Sequence, residues 1–107
     1  MAQPIYALYL GRMKQSWFEL SGEEREKLFA RALQSLADVG GKMLLAADCS
    51  WSSGQWGFFG VDEYPDIEAL QKHVATQYEI GFTRHTEEQD FLGSPAYRPS
   101  DSPSVES

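Results

Sequence analysis

An α+β chain with one four-stranded antiparallel sheet is what the order of segments predicts. Three observations carry this: short runs of β-formers, amphipathic helical stretches set between them, and apolar character on both sides of a central hairpin. Residues 42–49 (Lys-Met-Leu-Leu-Ala-Ala-Asp-Cys) read as one strand and residues 55–61 (Gln-Trp-Gly-Phe-Phe-Gly-Val) as the next, joined by the Ser/Gly-rich stretch 50–54. Neither strand alternates apolar with polar residues. A sheet with one wet face would alternate, so both faces of this hairpin are expected to be covered. Two helices suffice for one face, and a second copy of the chain is expected on the other.

Residues 4–10 (Pro-Ile-Tyr-Ala-Leu-Tyr-Leu), closed by Gly11, give the first strand, with Tyr6, Leu8 and Leu10 on one side and Ile5, Ala7 and Tyr9 on the other. Residues 12–20 are expected as a loop that carries Trp17 and Phe18, rings suited to closing a core edge or a pocket mouth. Ser21 and Glu24 then fit a capping box, and Glu23, Glu24 and Glu26 suit the positive end of the helix that follows. Leu28, Phe29, Ala32, Leu33 and Leu36 recur at helical spacing, and Gly40-Gly41 ends the helix. After the hairpin, residues 62–66 are expected as a turn in which Pro65 opens a second helix running to about residue 79. Its apolar line is Ile67, Leu70, Val74 and Tyr78, with His73 on the shoulder. Gly81 breaks that helix. Residues 82–92 are expected as a polar edge strand with Thr83, His85, Glu87, Gln89 and Phe91 on one face. One domain is expected over residues 1–93, followed by a flexible Ser/Pro-rich tail over 94–107. The order strand, helix, strand, strand, helix, strand is the split, ferredoxin-like arrangement.

A net charge of -7, with nine scattered Lys and Arg, argues against nucleic acid and against anionic membrane surfaces, because both are held by clustered cations. No apolar run approaches the roughly 20 residues that span a bilayer. The first 13 residues lack a basic start followed by an apolar stretch, so no secretion signal is expected. The single cysteine, Cys49, cannot form an internal disulfide, which fits a reducing cytoplasm.

The stretch Trp17-Phe-Glu-Leu20-Ser21-Gly-Glu23-Glu24-Arg25 resembles the W-x-x-L-S-x-E-E-R opening of small proteins in the dimeric α+β barrel superfamily, including darcynin-like chains and related families of unknown function. The aromatic pair Phe58-Phe59, the acidic, proline-containing stretch 62–66 and the amphipathic helix after it are similar too. The likeness covers residues 4–92, and residues 82–92 depart from the family pattern by being more polar. It implies a homodimer with two sheets packed face to face. It implies no single reaction, since cofactor-independent monooxygenases, polyketide cyclases, lactone isomerases and haem-degrading enzymes share the scaffold.

A cavity between sheet and helices is expected in such a fold. Tyr6, Trp51, Trp56, Phe58, Tyr78 and Phe82 are candidates to line it, with Trp17 as a lid, and they would suit a flat, apolar metabolite. The same rings would also serve as core and dimer contact. His73 is the first acid/base candidate, and His85 is the second, with Glu87 positioned to orient its ring. Either imidazole could instead be solvated or structurally bonded. Asp48, if inward, needs a partner such as Tyr6, Arg84 or a histidine; capping the loop 50–54 is the favoured alternative. His85, Glu87 and a distant His73 match no established metal motif, nothing singles out a haem ligand, and Cys49 has no resolving cysteine. No cofactor is therefore expected.

The sequence reading is a small homodimeric enzyme that moves a proton on an apolar, aromatic or polyketide-like metabolite, as isomerases, cyclases and some oxygenases do. His73 is the base, His85 with Glu87 the supporting pair, and Tyr6 or Tyr78 a donor to developing negative charge. The alternative is a noncatalytic dimeric ligand-binding or accessory protein.

Overall fold

Residues 3–96 are described by the computed structural model. The chain forms strand β1 (Ile5–Met13), a short helix α1 (Gln15–Phe18), helix α2 (Gly22–Asp38), strand β2 (Lys42–Asp48), strand β3 (Phe58–Tyr64), helix α3 (Ile67–Ile80), a 3-10 turn (Phe82–His85) and strand β4 (Thr86–Gly93). The four strands make one antiparallel sheet in the order β2-β3-β1-β4, which is the ferredoxin-like arrangement. The tail expected over 94–107 lies, from residue 97 on, outside the described residues.

Local chemistry sets the ends of the helices. Ser21 accepts from the Glu24 amide at 3.1 Å while the Glu24 carboxylate accepts from the Ser21 amide at 3.0 Å, the reciprocal capping box. Asp66 caps α3 by accepting from the Ala69 amide at 2.8 Å, so Pro65 stands before the cap and not in the first helical turn. The Asp66 carboxylate takes the extended cap position, and the helix starts one residue beyond it. Gly81, with φ of 84°, ends α3 in the left-handed conformation.

Four boundaries differ from the sequence expectation. Strand β1 runs on to Met13, and α1 replaces part of the expected loop. Strand β3 starts at Phe58 because the Ser53 hydroxyl accepts from the Gln55 and Trp56 amides, at 3.1 and 2.8 Å, and holds them in the connection. The same strand continues through Asp62 to Tyr64, where a turn was expected. Residues 82–85 form the 3-10 turn, so β4 begins only at Thr86.

The sheet has two unlike faces. Toward the helices, Ala7, Tyr64, Leu36 and Leu70 make a small buried cluster, with Ile5, Val39 and Ala69 against it. On the helices, Phe29 and Leu33 of α2 and Val74 of α3 remain substantially exposed. On the opposite face, Leu45, Val61, Leu8 and Phe91 pair in one row across all four strands, and Ala47, Phe59 and Leu10 make the next. Leu8, Leu45 and Phe91 are exposed. The rows end in polar groups, with Tyr6 donating to Glu63 at 3.1 Å and Arg12 to Glu87 at 2.8 Å.

Two glycines leave room for aromatic rings on the helix-facing side. A Cβ on Gly60 would collide with the Tyr9 ring and lie 2.6 Å from the Leu45 carbonyl; one on Gly11 would meet the Phe58 ring. The rings of Tyr9 and Phe58 meet edge to face at 6.2 Å. The Leu45 carbonyl belongs to the backbone and cannot swing away. Gly60→Ala is therefore expected to destabilise the fold by about 3 kcal/mol, the upper end for an overpacked site. Ser21→Ala, which removes only a cap, is expected to cost about 1 kcal/mol. Equal midpoints for the two variants in urea denaturation would contradict this packing.

Candidate functional site

Between the sheet and the helices lies a cavity of about 880 Å³. That is within the roughly 300–1,000 Å³ of pockets that hold drug-sized molecules. Phe29 and Leu33 of α2, Val74 of α3, Met43 of β2 and Phe58 of β3 give it apolar walls. Its floor is polar. Tyr9 of β1, Asp62 of β3 and Glu88 and Asp90 of β4 all border it, and the pairing register explains their company. Tyr9 sits opposite Gly60 on one side and Asp90 on the other, Ala7 opposite Asp62 and Leu92, and Gly11 opposite Phe58 and Glu88. Residues opposite one another share a face, so the three acids are brought to the helix side together.

Their environment holds these carboxyls toward neutrality. Burial first, and the Asp90 charge second, push Asp62 up to about 6. Burial pushes Glu88 up to about 7, with help from Asp90 and Asp62, and burial raises Asp90 as well. Glu88 and Asp90 are exposed at the cavity, and the walls around them strip part of the hydration that a charge needs. Tyr9 is pushed up to about 12 by burial and by Asp62 and Glu88, and Tyr64 is raised by burial first.

His73 borders the same cavity with only 4% of its surface exposed. Its Nδ1 is hydrogen-bonded to the Ser35 hydroxyl at 2.9 Å, and its ring lies 5.9 Å from that of Tyr64. Burial lowers its pKa, so the ring is neutral at pH 7.

Of the residues proposed from sequence, His73, Phe58, Phe82 and Asp48 border the cavity. Asp48 does so from an exposed position and accepts from the Ser50 amide and hydroxyl, at 2.9 and 2.7 Å, the loop-capping arrangement; these bonds hold its pKa below the usual carboxylate range. Trp17 stands behind Phe82, rings 5.9 Å apart, and does not itself line the cavity. Six further residues lie elsewhere than expected. Tyr6 points to the opposite face, since the alternation that turns Tyr9 inward turns Tyr6 outward. His85 ends the 3-10 turn while Glu87 belongs to β4, and they have different partners: His85 Nδ1 is bonded to the Ser16 hydroxyl at 2.8 Å, and Glu87 is taken by Arg12. Trp51 and Tyr78 are exposed, on the loop and on the outer side of α3. Trp56 lies beneath the Arg12 guanidinium, 5.8 Å away, outside the cavity.

Sequence reasoning missed Tyr9, Asp62, Glu88 and Asp90. The period of two in residues 86–93 was the available signal for the last two, placing Glu88, Asp90 and Leu92 opposite Glu87, Gln89 and Phe91.

No model of a protein family matches the chain, and no curated protein does. Solved structures do. A tryptophan-to-valine mutant of the chlorite dismutase from Candidatus Nitrospira defluvii superposes with a TM-score of 0.72 at 12% identity, over 92% of this chain and 42% of that one. An arginine-to-lysine mutant of the same protein gives 0.69 at 12% identity, over 95% and 44%. The methylated RPA0582 protein gives 0.66 at 18% identity, over 92% of this chain and 85% of that one. The chain thus spans less than half the length of the chlorite dismutases it matches. At these identities the likeness is one of fold. Among the described residues four carboxyls (Asp48 at the edge, and Asp62, Glu88 and Asp90) and no Lys or Arg line the cavity, so a group bearing carboxylates of its own, haem included, does not fit it.

The raised acids have a consequence for stability. A carboxyl whose folded pKa exceeds its unfolded value stabilises the fold while protonated, and the benefit is lost as pH rises through the folded value. His73 opposes this only below its ordinary 6.5, because above that it is neutral both folded and unfolded. Melting temperature is therefore expected to fall between pH 6.5 and 7.5, where Glu88 titrates, and Glu88→Gln is expected to flatten that slope. A flat wild-type profile over this range would show that Glu88 is fully hydrated.

Proposed function

We propose that the protein is a homodimer that binds a small apolar or aromatic metabolite between its helices and its sheet and moves a proton on it without a bound cofactor. The observation that carries this reading is the meeting of a neutral, buried His73 and carboxyls raised toward neutrality in one apolar-walled cavity. A base that is free of its proton and an acid that retains one near pH 7 are what isomerisation and cyclisation of an activated carbon require. In this reading His73 takes the proton, and the Asp62 and Glu88 cluster returns one. The supporting roles first given to His85, Glu87 and Tyr6 pass to these acids.

The shared fold does not extend to the substrate in its neighbours' names. Chlorite is an anion, and the cavity presents no Lys or Arg to hold it.

The opposite face of the sheet supports the dimer. Two apolar rows bounded by polar groups form a flat surface that a second, symmetry-related sheet can cover, apolar row on apolar row. Light scattering at micromolar concentration is expected to give twice the chain mass, and Leu8→Glu, at the centre of the rows, to give a monomer. A monomeric wild type would remove the dimer from the account.

Chemistry is tested with 2-tetralone, a flat apolar ketone with acidic C–H bonds. In D2O the wild type is expected to speed deuterium uptake at those carbons, and His73→Gln to lower the rate by about 100-fold, a typical loss for a general base. Binding seen as amide shifts at Phe58 and Phe82 without any faster exchange would leave a noncatalytic binding protein.

A further inference from the structure

We propose that the ligand of this cavity is an organic cation: an apolar, aromatic-sized skeleton ending in an ammonium group that seats on Asp62, Glu88 and Asp90. The proposal rests on the reading of the cavity as a ligand site and names what that site selects.

The charged and titratable groups facing the cavity come from nearly every element around it. Strand β1 supplies Tyr9, β3 supplies Asp62 and Tyr64, β4 supplies Glu88 and Asp90, β2 supplies Asp48 at the edge, and α3 supplies His73. Helix α2 supplies only apolar side chains and Ala32. No positive side chain borders the space. The carboxyls of Asp62, Glu88 and Asp90 make no hydrogen bond or ion pair with any described residue, although Arg12, on the other face of the same sheet, is paired.

A second observation points to an occupant. His73, a polar side chain that is nearly all buried, borders the cavity with its Nδ1 bonded to Ser35 and its Nε2 making no hydrogen bond to a described residue. A ligand bearing N–H donors would give this nitrogen and the carboxylate oxygens that face the cavity a partner while it supplied the missing charge. An anion would need every acid protonated.

The cation is organic and not a metal ion. A metal draws its oxygen ligands to roughly 2.0–2.6 Å, which requires them to converge. No group of three or more His, Cys, Asp and Glu side chains among the described residues is arranged to do so. Asp62 and Asp90 stand on β3 and β4 with β1 between them, about 10 Å apart at the usual strand spacing. An ammonium group can bond one carboxylate and be attracted by the others, and the Tyr9 and Phe58 rings border the same space. The apolar walls of Leu33, Phe29 and Val74 take the skeleton.

The test compares one skeleton with three ends: 4-phenylbutylamine, 4-phenylbutan-1-ol and 4-phenylbutyric acid, titrated calorimetrically into the wild type. At pH 7.5 the amine is expected to bind at least tenfold tighter than the alcohol, and the acid least tightly. Amine affinity is expected to rise from pH 5.5 to 7.5 as the carboxyls ionise, while alcohol affinity stays level. In Asp62→Asn with Glu88→Gln the amine's advantage is expected to shrink below threefold; Leu33→Trp, which narrows the cavity at its apolar wall, is expected to weaken binding of amine and alcohol alike. Alcohol or acid binding as well as the amine would overturn the cationic class and leave the cavity a ligand site. No binding by any of the three, or amine affinity unchanged in Leu33→Trp, would overturn the proposal, the former together with the ligand-site reading. The wild-type series needs no variant to fold.

Discussion

Strand β1 is hydrogen-bonded along both of its edges, and a shift of one residue in its pairing would turn its own side chains to the other face. Tyr9 would then leave the floor between Asp62 and Asp90, and Leu8 and Leu10 would turn toward the helices. The register is held by shape as well as by hydrogen bonds. Tyr9 lies over Gly60 and Phe58 over Gly11, each ring using the space that a side chain would occupy on the neighbouring strand. Packing thus fixes which residues meet beneath the helices.

What meets there cannot close into an ordinary core. Between the helices and the sheet the buried cluster of Ala7, Leu36, Tyr64 and Leu70 adjoins the cavity and does not fill it. Three carboxyls crowded on that floor resist desolvation and one another, so drawing Phe29, Leu33 and Val74 down onto them would be unfavourable. The result is a space with greasy walls and an acidic base. A chain of this size normally uses its helix-facing surface to stabilise itself. In the proposed function part of that surface is left to a ligand and the outer rows to a second sheet, so the two apolar faces of the hairpin would have different uses.

Much of this was legible in the residues. The period of two in 4–10, the capping box at Ser21 and the glycine stops at Gly40 and Gly81 are local signals, and local signals placed the helices and the strand order. Asp48 as a loop cap was also readable, because aspartate bonds the backbone two residues on wherever a turn allows it. The acidic floor was not read, for two reasons. Asp62 precedes a proline and sits among acids, which looks like a turn; only pairing with Ala7 of a distant segment keeps it in a strand. Residues 82–85 look continuous with β4, and the 3-10 turn that separates them depends on Gly81 and on the Lys14 amide donating to the His85 carbonyl at 2.8 Å. That turn moved His85 out of the strand and left Glu87 to Arg12. His73 fell on the helix shoulder by periodicity, yet it is more buried than Val74 or Tyr78, because the Ser35 hydroxyl gives its ring a partner inside.

The central claim is that Asp62, Glu88 and Asp90 share one partly desolvated cavity beneath the helices. Titration of their side-chain carboxyl carbons by 13C NMR reads that directly, one residue at a time. Midpoints near 6 for Asp62 and near 7 for Glu88, with Asp90 also above its ordinary range, are the expected result. Three midpoints at ordinary, water-like values would place these side chains in open solvent and contradict the account.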